Sequence, residues 1–138
     1  MKPILIYIAC IVLTVVLSYF FPSVSFDENV ANVLFTVTGI VFSIGLSLTV
    51  VSSTTGSKNQ EIKKRIRNDI KKTRNNFIIC FSLAATIYVI FIILPKEHYK
   101  FFNKDIGILI CQGVAIAYFV FNFIAIQKFN EDIEDVTT

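Results

Sequence analysis

The chain has 138 residues, 54% hydrophobic and only 17% charged, with a formal net charge of +3 and a mean hydropathy of +0.67. A soluble domain disperses a similar apolar fraction along helix or strand periods, whereas here it is gathered into four blocks without Asp, Glu, Lys, Arg or His. That distribution excludes a water-soluble enzyme, a disordered tail and a secreted disulfide module, and leaves an integral membrane protein built from helices.

The blocks cover residues 3–21, 30–51, 77–94 and 106–126. A bilayer core of about 30 Å takes about 20 apolar residues at 1.5 Å rise each, so each block is long enough to span. The alternating pattern of a membrane barrel is missing, and a helix satisfies its backbone groups internally. The expected fold is therefore an all-α bundle of four transmembrane helices forming one domain. The first block resembles a signal peptide in position, with small Ser23 and Ser25 after it. Its apolar run is longer than a cleaved signal needs, and it is read as a retained span.

Between the second and third spans, the loop carries eight basic residues: Lys58, Lys63, Lys64, Arg65, Arg67, Lys71, Lys72 and Arg74. The loop at residues 22–29 carries none, and residues 95–105 carry Lys96, Lys100 and Lys104. With Lys2 and Lys128, ten basic residues fall on one side against three on the other. The positive-inside rule then puts both termini and the middle loop in the cytoplasm of a bacterial inner membrane. Tyr19, Phe20, Phe21, Tyr99, Phe101 and Phe102 suit the outer interface, where amphipathic rings settle.

Within the middle loop, Ile62, Ile66 and Ile70 repeat every four residues and Phe77 continues the stripe. A helix is expected from residue 59 onward, running into the third span as a basic cytoplasmic stalk over 59–76. The stretch Ser52–Ser57, with Gly56, is the turn before it. The stalk's Lys63, Lys64, Arg65, Arg67, Lys71, Lys72 and Arg74 are candidate contacts for a cytosolic partner or anionic lipid. Nucleic acid is disfavoured, because orientation alone accounts for the charge. The tail at residues 130–138 holds Glu131, Asp132, Glu134 and Asp135 with no basic residue, and is read as an acidic cytoplasmic terminus.

The second span carries the most informative polar pattern. Asn32, Thr36, Gly39, Ser43 and Ser47 fall on one helix face, the last three as a small-xxx-small series that permits close helix approach. Packing inside the bundle is the first reading, with a hydroxyl-lined water path and a self-association face as alternatives. Thr38, Gly45, Thr49 and Ser52 form a second, weaker strip. Gln112 and Asn122 in the fourth span need partners, because an intramembrane amide is costly alone. In the first span Cys10, Thr14 and Ser18 make a further packing strip.

Cys10, Cys80 and Cys111 lie in three different spans without a CxxC, and are read as small buried hydrophobes rather than a disulfide or metal site. His98 is the single histidine. No intramembrane carboxylate is present, which argues against a proton-coupled exporter of the small multidrug type. No catalytic, cofactor or metal motif stands out, so an enzyme is not expected. What fits is a small homo-oligomeric inner-membrane protein, a sensor or pore-type subunit of a bacterial defence or toxin-like system coupled through the stalk to a cytosolic partner. The alternatives are an immunity protein that binds a pore-forming bacteriocin in the membrane, and a membrane anchor or assembly factor.

Overall fold

Proline is tolerated only where a helix begins, because its missing N–H is unpaired there anyway. Pro3 accordingly sits in the first turn of α1 (Pro3–Phe20), and the helix stops ahead of Pro22, where Phe21 donates its N–H to the Leu17 carbonyl at 2.8 Å. In a computed structural model of the chain, which describes residues 2–52, 60–94 and 102–137, α1 is followed by α2 (Glu28–Ser52), α3 (Gln60–Ile93) and α4 (Lys104–Thr137). No strand occurs among the described residues. All four helices are long and apolar enough to cross a membrane, compatible with a multi-pass membrane protein.

The boundaries differ from the sequence expectation where helix outlasts apolarity. α2 begins at Glu28, ahead of the apolar run from residue 30, and Asp27 accepts the N–H of Val30 at 2.9 Å through its carbonyl. α3 is one unbroken helix of 34 residues, which at 1.5 Å per residue is about 51 Å long. α4 does not stop with the apolar block at 126 but stays helical to Thr137, so the segment expected as a tail is backbone helix. The expected turn at 53–57, together with His98, Tyr99 and Phe101, lies outside the described residues, as do the side chains of Asp132, Glu134 and Asp135.

α4 is the central element: it packs against α1, α2 and α3, α3 also touches α1 and α2, and α1 and α2 do not meet among the described residues. Stacked rings mark the α2–α3 seam, Phe42 on Phe81 at 4.3 Å and Phe35 on Tyr88 at 4.4 Å between centroids. Between α3 and α4, Phe77 meets Phe119 edge-on at 5.3 Å. Such ring pairs add about 0.5–1.5 kcal/mol each beyond their buried area. Gly45 makes room for Phe77, and Gly107 for Phe91 at the far end of α3. A Cβ on Gly45 would stand 2.7 Å from the Phe77 ring, and one on Gly107 would stand 2.6 Å from the Phe91 ring.

α1 is inverted relative to a soluble helix. It buries Tyr7, Cys10, Thr14 and Ser18 and turns Ile4, Leu5, Ile8, Val12 and Val16 outward. Lipid makes this favourable, since apolar side chains gain nothing from leaving an apolar solvent and small residues allow close packing. The buried hydroxyls return to their own helix, Thr14 to the Cys10 carbonyl at 2.7 Å and Ser18 to the Thr14 carbonyl at 2.6 Å.

One end of the bundle is tied by a polar network. Asn103 caps α4, its Oδ1 accepting the Asp105 N–H at 3.0 Å, while its own N–H donates to Ser18 Oγ at 2.9 Å. Its Nδ2 reaches the Val24 carbonyl, and Asp105 Oδ2 accepts the Phe26 N–H at 3.1 Å. The α1–α2 connection is thereby fastened to the start of α4.

Candidate functional site

α2 carries two polar strips, and the bundle uses the one the sequence ranks second. Thr38 is fully enclosed and Thr49 is 1% exposed, with Gly45 between them against Phe77. The first strip points away: Asn32, Thr36, Ser43 and Ser47 are exposed and Gly39 is half-buried. At 100° per residue the two strips are about 140° apart around the helix axis. Packing within one copy therefore engages Thr38, Gly45 and Thr49, not the Gly39–Ser43–Ser47 series.

The outward hydroxyls are nonetheless satisfied. Thr36 donates to the Asn32 carbonyl at 2.8 Å, Ser43 to the Gly39 carbonyl at 2.9 Å, and Ser47 to the Ser43 carbonyl at 2.9 Å. This back-bonding lets a hydroxyl sit in lipid without the full cost of an unpaired donor. Each oxygen keeps acceptor capacity toward a neighbour. Asn32 accepts the hydroxyl of Tyr88 from α3, which anchors the N-terminal end of the strip.

The two amides of α4 take different roles. Gln112 is fully buried and donates through Nε2 to the Ala84 carbonyl of α3 at 3.1 Å, an interhelical bond. Its Oε1 has no partner among the described residues. Asn122 is half-buried and donates to the Tyr118 carbonyl of its own helix at 2.8 Å. Gln112 is enclosed where Thr36, Ser43 and Ser47 are exposed, so one copy does not gather these groups along a single path.

The three cysteines, unremarkable in sequence, converge. Cys10, Cys80 and Cys111 belong to one buried cluster with Tyr7, Ala84 and Ala115, and all three are free thiols. Tyr7 donates its hydroxyl to the Cys80 carbonyl at 3.2 Å. Among the described residues no group of three or more His, Cys, Asp or Glu is placed to hold a metal ion.

On α3, Lys63, Lys64, Arg65, Arg67, Lys71, Lys72 and Arg74 are all exposed. The isoleucine stripe between them is graded: Ile62 is exposed, Ile66 and Ile70 are half-buried, and Phe77 is fully buried. The stripe thus enters the bundle at its lower end and is open at the upper. Sequence reasoning missed Asn103 and Asp105, whose role depends on the distant partners Ser18, Val24 and Phe26. No protein-family model, curated protein or solved structure matches the chain.

Proposed function

We propose that the protein is a subunit of an oligomeric assembly in a bacterial inner membrane, of sensor or pore type, without enzymatic chemistry of its own. The observation that carries this reading is the outward strip of α2, where Thr36, Ser43 and Ser47 stand exposed among the outward apolar residues Val33, Ile40 and Ile44. Copies that turn this face toward a common axis bring small residues into close contact and their hydroxyls toward one path. Such a path, lined by hydroxyls and free of fixed charge, conducts with weak selectivity, since strong selectivity needs charged rings or ordered carbonyls. Both termini and the basic half of α3 lie in the cytoplasm by the ten-to-three distribution of basic residues. The exposed Lys and Arg of residues 63–74 are then a stalk that meets a cytosolic partner or anionic head groups. The setting is a defence or toxin-like system.

The assembly face is tested by enlarging it. A Cβ on Gly39 would stand 4.0 Å from Phe81, an ordinary contact, and Ser43 is exposed, so Gly39→Ala and Ser43→Leu are each accommodated by one copy's packing. Both variants should shift detergent-purified protein to smaller assemblies on native mass spectrometry. An unchanged distribution for both removes α2 from the interface and the reading with it.

A further inference from the structure

At the capped end of the bundle, the first turns of α2 and α4 and the last turn of α3 enclose a hollow of about 230 Å³. Glu28 and Asp27 contribute from the α2 side, Lys104 and Asp105 from α4, and Ile92 and Ile108 form apolar wall. Two of the carboxylates have work elsewhere. Asp27 accepts the side-chain N–H of Asn29 at 2.9 Å, and Asp105 accepts the Phe26 N–H at 3.1 Å. Both, like Glu28, lie where a helix begins, at the positive end of its dipole. Glu28 and Lys104 differ. They face the same hollow with opposite charge, yet neither has an ion-pair or hydrogen-bond partner among the described residues.

Lys104 is half-buried, which makes an unpaired ammonium there costly. Two charges of opposite sign, lining one cavity and without partners among the described residues, match a ligand that carries both signs. A water occupies about 30 Å³ of liquid, so the hollow holds about eight water-sized groups, close to the size of a phosphoethanolamine. The apolar wall decides between a soluble zwitterion and a lipid. Ile92 lines the hollow and is also 51% exposed on the outside of α3, in line with exposed Val89 and Ile93. An acyl chain joined to a head group in the hollow therefore has an apolar track down α3.

We propose that this hollow seats the head group of an ethanolamine phospholipid, its ammonium on Glu28 and its phosphate on Lys104. The primary ammonium supplies three N–H donors to the carboxylate, which a choline cannot. A glycerol head group offers no cation at all.

The test uses full-length protein, delipidated in mild detergent and offered equal amounts of phosphatidylethanolamine, phosphatidylcholine and phosphatidylglycerol with matched chains. Native mass spectrometry should find the ethanolamine lipid retained about tenfold over the other two, the scale of one charge-assisted bond. Glu28→Gln and Lys104→Gln should each erase that preference, with helix content by circular dichroism unchanged. Ile92→Trp, which fills the hollow and leaves every charge in place, should do the same. Equal retention of the three lipids by the wild type, or a preference that survives both charge variants, overturns the proposal. Displacement of the lipid by water-soluble phosphoethanolamine at the same concentration overturns the lipid source.

Discussion

The contact between Gly45 and Phe77 offers a measurement of how tightly the α2–α3 seam is closed. Replacing Gly45 with Ala puts a methyl 2.7 Å from Phe77 Cε2 and 3.2 Å from Cδ2, well inside van der Waals contact. The ring has nowhere to go: Phe77 is fully buried and held edge-on by Phe119. Overpacking of this kind costs about 1–3 kcal/mol, while the exchange of Gly for Ala in a helix returns at most about 1 kcal/mol. Gly113→Ala is the matched control, because a Cβ there meets nothing within 4 Å. The helix-propensity gain is common to both variants, so their difference isolates the clash at about 1–3 kcal/mol. Reversible unfolding in mixed micelles, driven by the mole fraction of a denaturing detergent and followed by circular dichroism, reads it directly. Adding Phe77→Leu to Gly45→Ala should recover part of the loss, with a coupling of about 1–2 kcal/mol in the double-mutant cycle. Equal stability of Gly45→Ala and Gly113→Ala would refute the close approach of these two helices.

The buried amide makes a prediction of opposite sign. Gln112→Leu removes one interhelical bond, worth about 0.6 kcal/mol in a membrane, and an unpartnered oxygen that costs about 1–3 kcal/mol, so the variant should be about 1 kcal/mol more stable in the same assay. A loss of stability assigns that oxygen a partner. For topology, phosphatase-reporter fusions should be silent after Lys72 and Thr138 and active after Glu28 and Lys100; activity at Lys72 contradicts the orientation. If the assembly conducts, overproduction should depolarise the inner membrane, and Ser43→Leu on the outward strip should abolish this while insertion is kept. No change in membrane potential or dye entry under those conditions ends the pore reading.

The spans are legible in the sequence because lipid demands continuous apolar length, and length can be counted. Which side of a span faces inward is far less legible. In water the apolar face marks the core, but in lipid both sides of α2 are apolar and both carry hydroxyls. Thr38, Gly45 and Thr49 face inward for a reason that sits on another helix, the Phe77 ring that needs the space at Gly45. The same limit hid the meeting of Cys10, Cys80 and Cys111, whose positions on three spans contain no information about relative depth or rotation. Conversely, the strip Cys10–Thr14–Ser18 is buried as its spacing suggests, because α1 has no competing small-residue face. The basic segment of α3 was readable from its four-residue isoleucine period, and the helical end of α4 was not, since its acidic stretch has no apolar repeat to announce it.

The absence of contact between α1 and α2 bears on how the chain reaches this arrangement during synthesis. Two spans joined by a short connection ordinarily enter a bilayer as a hairpin that closes on itself. Here the first hairpin does not close on itself: Tyr7 bonds α3, Thr14 packs against Gly107 of α4, Ser18 accepts from Asn103, and the fastening of its connection depends on Asn103 and Asp105. At about 5–20 residues per second, α1 waits on the order of ten seconds before α4 follows it out of the ribosome. Through that interval its polar strip faces lipid or the insertion machinery. Assembly of the fold is thus paced by its last helix, and truncation within α4 should leave α1 undocked rather than produce a smaller stable bundle.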